Sequence, residues 1–99
     1  MAIKTSIKNN ELHIEIEGRF DFSAHQEFRD AYEKTDSSVN RYVVDMGKAT
    51  YLDSSALGML LLLRDHAGGD NANVLITQCN PDVRKILTIS NFEQLFTID

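Results

Sequence analysis

The chain of 99 residues has no tryptophan, one cysteine and one proline. A lone cysteine permits no internal disulfide, so Cys79 reads as a small interior residue at the end of a strand, in a reducing setting. No proline-rich linker, low-complexity tract or internal repeat interrupts the chain. Positive charge is scarce: 10 Lys and Arg against 15 Asp and Glu leave a net charge of −5. The cations are scattered singly except at Arg84-Lys85, so no basic stripe exists for a phosphate backbone to follow, which excludes a nucleic-acid role. The acidic balance favours partners with a basic face. Met1-Ala2-Ile3-Lys4-Thr5 lacks the apolar core of a signal peptide. The longest apolar run, Ala56 to Leu63 with Gly58 inside it, falls far short of the ~20 residues that span a bilayer. Membrane insertion is not expected, and the cytoplasm is the expected location.

Catalytic and cofactor motifs are missing as well. There is no G-x-S-x-G nucleophile elbow, no phosphate-cradling G-x-x-x-x-G-K-[ST] and no G-x-G-x-x-G. His13 falls on a strand, His25 in a first helical turn and His66 at a helix end, and none has a neighbour at metal-ligand spacing. A small hydrolase using Ser54 as nucleophile would need one of these histidines within hydrogen-bond reach. No metal or other cofactor is expected, and Gly68-Gly69 reads as a helix stop.

What is present is an alternation of strand and helix signals. Ile3 to Lys8, the turn Asn9-Asn10, and Leu12, Ile14 and Ile16 alternating with His13, Glu15 and Glu17 read as a hairpin ended by Gly18. Arg19-Phe20-Asp21-Phe22 is then a short connection with its Phe residues inward. Ser23 and Gln26 match a capping box for a helix over about 24–35, stopped by Thr35-Asp36-Ser37-Ser38. Tyr42-Val43-Val44 reads as a strand buried on both faces, and Asp45 to Leu52 as the link to a second helix starting near Ser54 or Ser55. The five non-polar residues from Met59 to Leu63 cover every azimuth of that helix, so it is expected to be packed on more than one side. Val74-Leu75-Ile76 is another buried strand, and Asn80-Pro81-Asp82 starts a third helix. Phe92 to Ile98 closes with a short helical turn and an edge strand. The order β-β-α-β-α-β-α-β implies an α/β fold, a mixed, mostly parallel sheet of about five strands with helices packed against it.

Within this frame the informative stretch is Asp53-Ser54-Ser55-Ala56-Leu57-Gly58, where a polar loop becomes an apolar helix. The first turn of a helix has N–H groups without intrahelical partners and a partial positive charge. A serine there can cap the helix, and a phosphate placed on it would meet donors and a favourable dipole. One cap needs one such residue, and here three stand in a row.

Tyr51-Leu52-Asp53-Ser54-Ser55-Ala56-Leu57-Gly58 resembles the signature of the STAS domains, in particular the bacterial anti-sigma-factor antagonists. Gly18-Arg19-Phe20-Asp21 is similar to that family's G-x-[LF]-D segment. The Tyr42-to-Met46 strand, the Asn80-Pro81-Asp82-Val83-Arg84 helix start and the Phe92 region also fall where the family has them, so 1–99 reads as a single STAS domain. The resemblance implies a non-enzymatic regulator that, when unphosphorylated, binds an anti-sigma factor that is also a GHKL-type serine kinase. It implies phosphorylation of Ser54, with Ser55 as second choice, and reversal by a PP2C-type phosphatase. Asp21, Asp53, Ser54, Ser55, Ala56, Leu57 and Gly58 are then the expected partner-binding residues, on a domain expected to be monomeric. A STAS subunit docked on the ATPase of a lipid transporter is the alternative, and that role requires no phosphate acceptor. Two departures stand out: Ala56 where the family often has Gly, and no residues beyond Asp99 for the further C-terminal helix that many members carry.

Overall fold

The computed structural model describes residues 2–34 and 39–99. Ala2–Lys8 (β1) and Glu11–Phe20 (β2) form an antiparallel hairpin with Lys8 opposite Glu11. Asn9 and Asn10 make its two-residue turn at φ 54° and 64°. Asparagine tolerates that left-handed region, and such a turn matches the twist of the strands it joins. β2 does not stop at Gly18 as expected. Glycine reaches φ 82° there, a conformation that a Cβ disfavours, and the strand runs on to Phe20.

Phe22–Ala24 forms a one-turn 3₁₀ helix that leads into His25–Glu33 (α1). The expected capping box is not made. Asp21 caps the turn by accepting from Ser23 N–H at 3.0 Å, while the Gln26 amide donates to Asp30 at 2.9 Å. An ionised carboxylate two residues upstream is a stronger acceptor than the Ser23 hydroxyl. Phe20 is buried as expected, but Phe22 is 63% exposed, because only Ala24 of this tight turn reaches the core. The expected stop at Thr35-Asp36-Ser37-Ser38 lies outside the described residues.

Arg41–Leu52 (β3) is a continuous strand of 12 residues beside β2, so the expected link from Asp45 to Leu52 is strand instead. Two register shifts explain why it does not look like one. Asp45 faces Glu15 but Lys48 faces Glu17, and Ala49 faces Gly18 but Tyr51 faces Arg19; each shift is a bulge that adds one residue to β3. Ser54–His66 (α2) follows. Gly68 and Gly69, at φ 123° and 62°, then end the helical path, and the chain enters Val74–Thr77 (β4). Pro81–Ile89 (α3) starts with proline in its first turn and Asn80 as cap. A 3₁₀ turn at Phe92–Gln94 and the short strand Thr97–Ile98 (β5) complete the fold.

The strands lie in the order β1-β2-β3-β4-β5, parallel except for the first pair. Each helix crosses between neighbouring strands in the same direction, so right-handed connections put all three on one face. Leu12, Ile14, Ile16, Val44, Met46 and Ile76 point to that face and are fully buried, along with Leu60, Leu63 and Leu87 of the helices. The opposite face is largely polar, but Tyr42-Val43-Val44 is buried on both sides as expected, while Leu75 of the Val74-Leu75-Ile76 strand is half-buried there. Among the described residues Val43 is the one buried on that face. Ion pairs cross that face: Lys4 with Glu17 at 3.2 Å, Lys48 with Glu15 at 3.4 Å and Arg41 with Glu11 at 3.1 Å. Long charged side chains cover apolar stems while keeping their heads in water, which lets one layer of helices suffice.

Candidate functional site at the start of α2

The parallel strands β2 and β3 end side by side, with Phe20 paired to Leu52 and the Asp53 N–H donating to the Phe20 carbonyl at 3.4 Å. Their carboxyl ends therefore bring Asp21 and Asp53 onto one rim. Asp53 is the N-cap of α2, extended at φ −112° and ψ −177°. Its Oδ1 accepts from the Ala56 N–H at 2.9 Å and from the Ser55 hydroxyl at 2.7 Å. The capping work expected of a serine is thus done by the aspartate, whose negative charge also suits the positive end of the helix.

This division leaves Ser54 distinct from Ser55. Ser55 is half-buried and its hydroxyl is committed to Asp53. Ser54, the first residue of α2, is exposed, and among the described residues its hydroxyl makes no hydrogen bond. With the Ala56 N–H taken by Asp53, the N–H groups of Ser54 and Ser55 are the first-turn donors left for an anion. Ala56 is fully buried. Its methyl packs beneath the site, which corrects its expected place on the docking surface. Leu57 is half-buried and Gly58 exposed.

Asp21 lies on the same rim but turns to its own loop. It accepts from both the N–H and the hydroxyl of Ser23, and these two bonds, with a smaller contribution from Arg19, hold its pKa below the ordinary carboxylate value. No hydrogen bond joins it to Ser54 among the described residues.

Several rim features escaped the sequence reading. Arg19 places its guanidinium 4.5 Å from the centre of the Tyr51 ring, with Nε 3.8 Å from Asp21 Oδ2. Phe22 stacks on His25 at 4.5 Å between ring centres. The Asn80 side chain caps α3 by accepting from the Val83 N–H at 2.8 Å, and its amide donates to the Ala49 carbonyl at 3.0 Å. Asn80-Pro81 signalled the cap, but nothing local signalled the bridge to β3. Further along α2, Leu61 and Leu62 are 39% and 59% exposed. The helix is packed on one side only, against the expectation drawn from its apolar run, because the three helices form a single layer.

The histidines sit elsewhere. His13 bonds Glu11 at 3.2 Å, His25 stacks on Phe22, and His66 packs against Tyr32 and Tyr42. None of them hydrogen-bonds Ser54, and among the described residues no cluster of His, Cys, Asp or Glu could hold a metal ion. Cys79 is half-buried just beyond β4, and burial raises its thiol pKa, which suppresses the reactive thiolate at neutral pH. No helix of the described residues is long and apolar enough to cross a membrane.

Residues 3–97 match the family model described as "Mlab, STAS domain". The chain belongs to the STAS domain family. A STAS-domain containing protein of Pseudomonas aeruginosa (strain UCBPP-PA14) is 68% identical over 93 residues, which is 94% of this chain and 92% of that one. Among solved structures, the anti-sigma factor antagonist SpoIIAA in its unphosphorylated form aligns with a TM-score of 0.73 at 15% identity, over 99% of this chain and 87% of that one. The Bacillus cell fate determinant SpoIIAA in its phosphorylated form aligns at 0.69 and 14% identity, over 99% and 91%. At such identities the structural likeness speaks for the fold alone. This STAS domain has the five-stranded sheet and three helices of that fold, with its Asp-Ser-Ser step at the junction of β3 and α2.

Proposed function

We propose that this STAS domain is an anti-sigma-factor antagonist that works by partner switching. In its unmodified form it binds an anti-sigma factor that is also a GHKL-type serine kinase. Phosphorylation of Ser54 ends that binding, and a PP2C-type phosphatase restores it. The domain itself catalyses nothing. One observation carries the reading: the Ser54 hydroxyl is exposed and, among the described residues, unengaged at a helix start whose cap is supplied by its neighbour Asp53. A kinase can reach such a hydroxyl without first unpicking the fold. That solved SpoIIAA structures include both an unphosphorylated and a phosphorylated form supports carrying the switch to this chain.

Phosphorylation adds about −1.5 to −2 charges beside the Asp53 carboxylate. The free domain tolerates them, because the spare N–H groups and the dipole of α2 face the phosphate. An interface formed around a small neutral hydroxyl does not, since it must desolvate a dianion next to a second carboxylate. About 1.4 kcal/mol of that penalty weakens binding tenfold, so several kcal/mol close the gate. Asp21, Ser55, Leu57 and Gly58 border the same surface.

The test is intact-mass spectrometry of the protein from its native cells, followed by binding assays. A species heavier by about 80 Da, one phosphoryl group mapped to Ser54, is expected. Ser54→Ala is expected to hold its partner constitutively and Ser54→Asp to hold it weakly. Phosphate appearing on Ser54→Ala at the wild-type rate would refute the assignment. Unmodified protein that copurifies with a transporter ATPase would favour the lipid-transport alternative instead.

A further inference from the structure

The outward face of α2 is badly suited to a free domain at three points. At 100° per residue, Ser54, Gly58, Leu61, Leu62 and Asp65 fall within an arc of about 100°. The buried residues Ala56, Met59, Leu60 and Leu63 occupy the opposite side. Gly58 sits inside this helix of 13 residues, where glycine is among the poorest formers. Glycine is usually kept in such a place because another part of the fold comes too close for a side chain. Here a Cβ added at Gly58 would meet nothing within 4 Å, so the fold gives no reason for it. Leu61 and Leu62 expose apolar surface one turn further on. Asp65 sets a carboxylate in the last turn, at the negative end of the helix dipole. No side chain among the described residues pairs with its carboxylate.

A sequence that breaks local rules without an internal gain does so where something outside the chain supplies the gain. We infer that a partner protein docks along the whole outward face of α2, from Ser54 to Asp65, about 16 Å at 1.5 Å per residue. Its contact surface is an apolar ridge that comes close to the backbone at Gly58, with a lysine or arginine set against Asp65. The charge distribution selects this occupant. The face carries carboxylates at both ends, Asp53 and Asp65, and no cation between them. The nearest guanidinium, Arg64, is turned aside to the Leu95 carbonyl at 3.2 Å and to Asp70 at 3.0 Å. A net charge of −5 makes a second copy of this chain a poor occupant. The inference rests on the reading that the Ser54 end of α2 is the docking end, and it adds the partner's chemistry and the length of the footprint.

The experiment has two arms on the full chain. In the first, Gly58→Ala is melted as pure protein. If the glycine serves only an outside partner, the variant melts higher by a few degrees, on the order of 4 °C; a lower melting temperature means the fold needs the glycine and overturns the inference. In the second arm, p-benzoylphenylalanine at position 61 or 62 is photoactivated in the native cells. An adduct with a different protein is expected, through a peptide that combines apolar residues with Lys or Arg. Its yield should fall about tenfold in Gly58→Ala and in Asp65→Lys. No adduct, an adduct with a second copy of this chain, or a yield indifferent to both substitutions overturns the inference. Ser54→Glu in the same assay separates the two readings: if it leaves the yield intact while Gly58→Ala lowers it, the footprint stands and the phosphorylation switch falls.

Discussion

Replacing Asp53 by alanine removes two hydrogen bonds from the first turn of α2, those from the Ala56 N–H at 2.9 Å and the Ser55 hydroxyl at 2.7 Å. The backbone bond from the Leu57 N–H to the Asp53 carbonyl remains, so the helix keeps its register. Loss of an N-cap costs about 0.5–2 kcal/mol. The Ser55 hydroxyl, half-exposed, turns to water and adds little. A loss of about 1–2 kcal/mol therefore lowers Tm by roughly 4–16 °C in a domain of this size. Asp53→Asn keeps an acceptor oxygen in the same place and gives up only the charge at the positive end of the helix, about 0.3–1 kcal/mol. The two variants also respond differently to salt. At 1 M salt the Debye length is about 3 Å, so the Asn variant approaches wild type while the Ala variant stays destabilised. Urea unfolding at low and high salt, followed by circular dichroism, reads both. If Asn costs as much as Ala and both losses vanish in salt, then charge and not hydrogen-bond geometry holds this helix start, and the cap argument is wrong.

Other expectations follow from the same structure. Leu60→Ala empties a fully buried site under α2 and costs about 2–5 kcal/mol, visible as a lower urea midpoint with the slope unchanged. Asn80→Ala loses both the α3 cap and the bridge to the Ala49 carbonyl, so its loss in urea unfolding should exceed the ~1 kcal/mol of an ordinary cap. The pKa values of Glu11 and Glu17 are lowered chiefly by hydrogen bonds from Arg41 and Lys4, and that of Asp21 by Ser23. Groups depressed in the folded state bind protons more readily when unfolded. Their contribution is therefore present above the ordinary carboxylate range and is lost as pH falls through the depressed values. Denaturant midpoints measured from pH 7 down to pH 2 should show this decline, and Arg41→Met should reduce the part owed to Glu11.

Much of the architecture was legible because its signals are local. Asn9-Asn10 can hold the left-handed turn by its own chemistry, and Asn80-Pro81-Asp82 carries cap, first-turn proline and dipole partner in three residues. The Asp-Ser-Ser step pointed to the candidate site for the same reason. What stayed hidden depends on parts distant in sequence. Ser23 and Gln26 fit a capping box until Asp21 competes for the same turn. Arg19 meets Tyr51 only because β2 lies beside β3. Met59 to Leu63 look uniformly interior, and no periodicity reveals that Leu61 and Leu62 face outward under a single layer of helices. The second half of β3 was misread because its two bulges break the alternation that marks a strand.

Those bulges constrain how the chain can change length. Before the first, the even-numbered residues Val44 and Met46 face the helices; between the two, the odd-numbered Ala49 does; after the second, Leu52 restores the even phase. Deleting a residue while both bulges are kept would reverse the parity, send Leu52 into solvent and launch Asp53 and Ser54 toward the wrong side of the sheet. Deleting the extra residue of a bulge would instead restore plain alternation and leave Leu52 opposite Phe20. A stretch that resembles a tolerant surface loop is thus a counting device, in which a change of length is admissible only where it adds or removes a bulge.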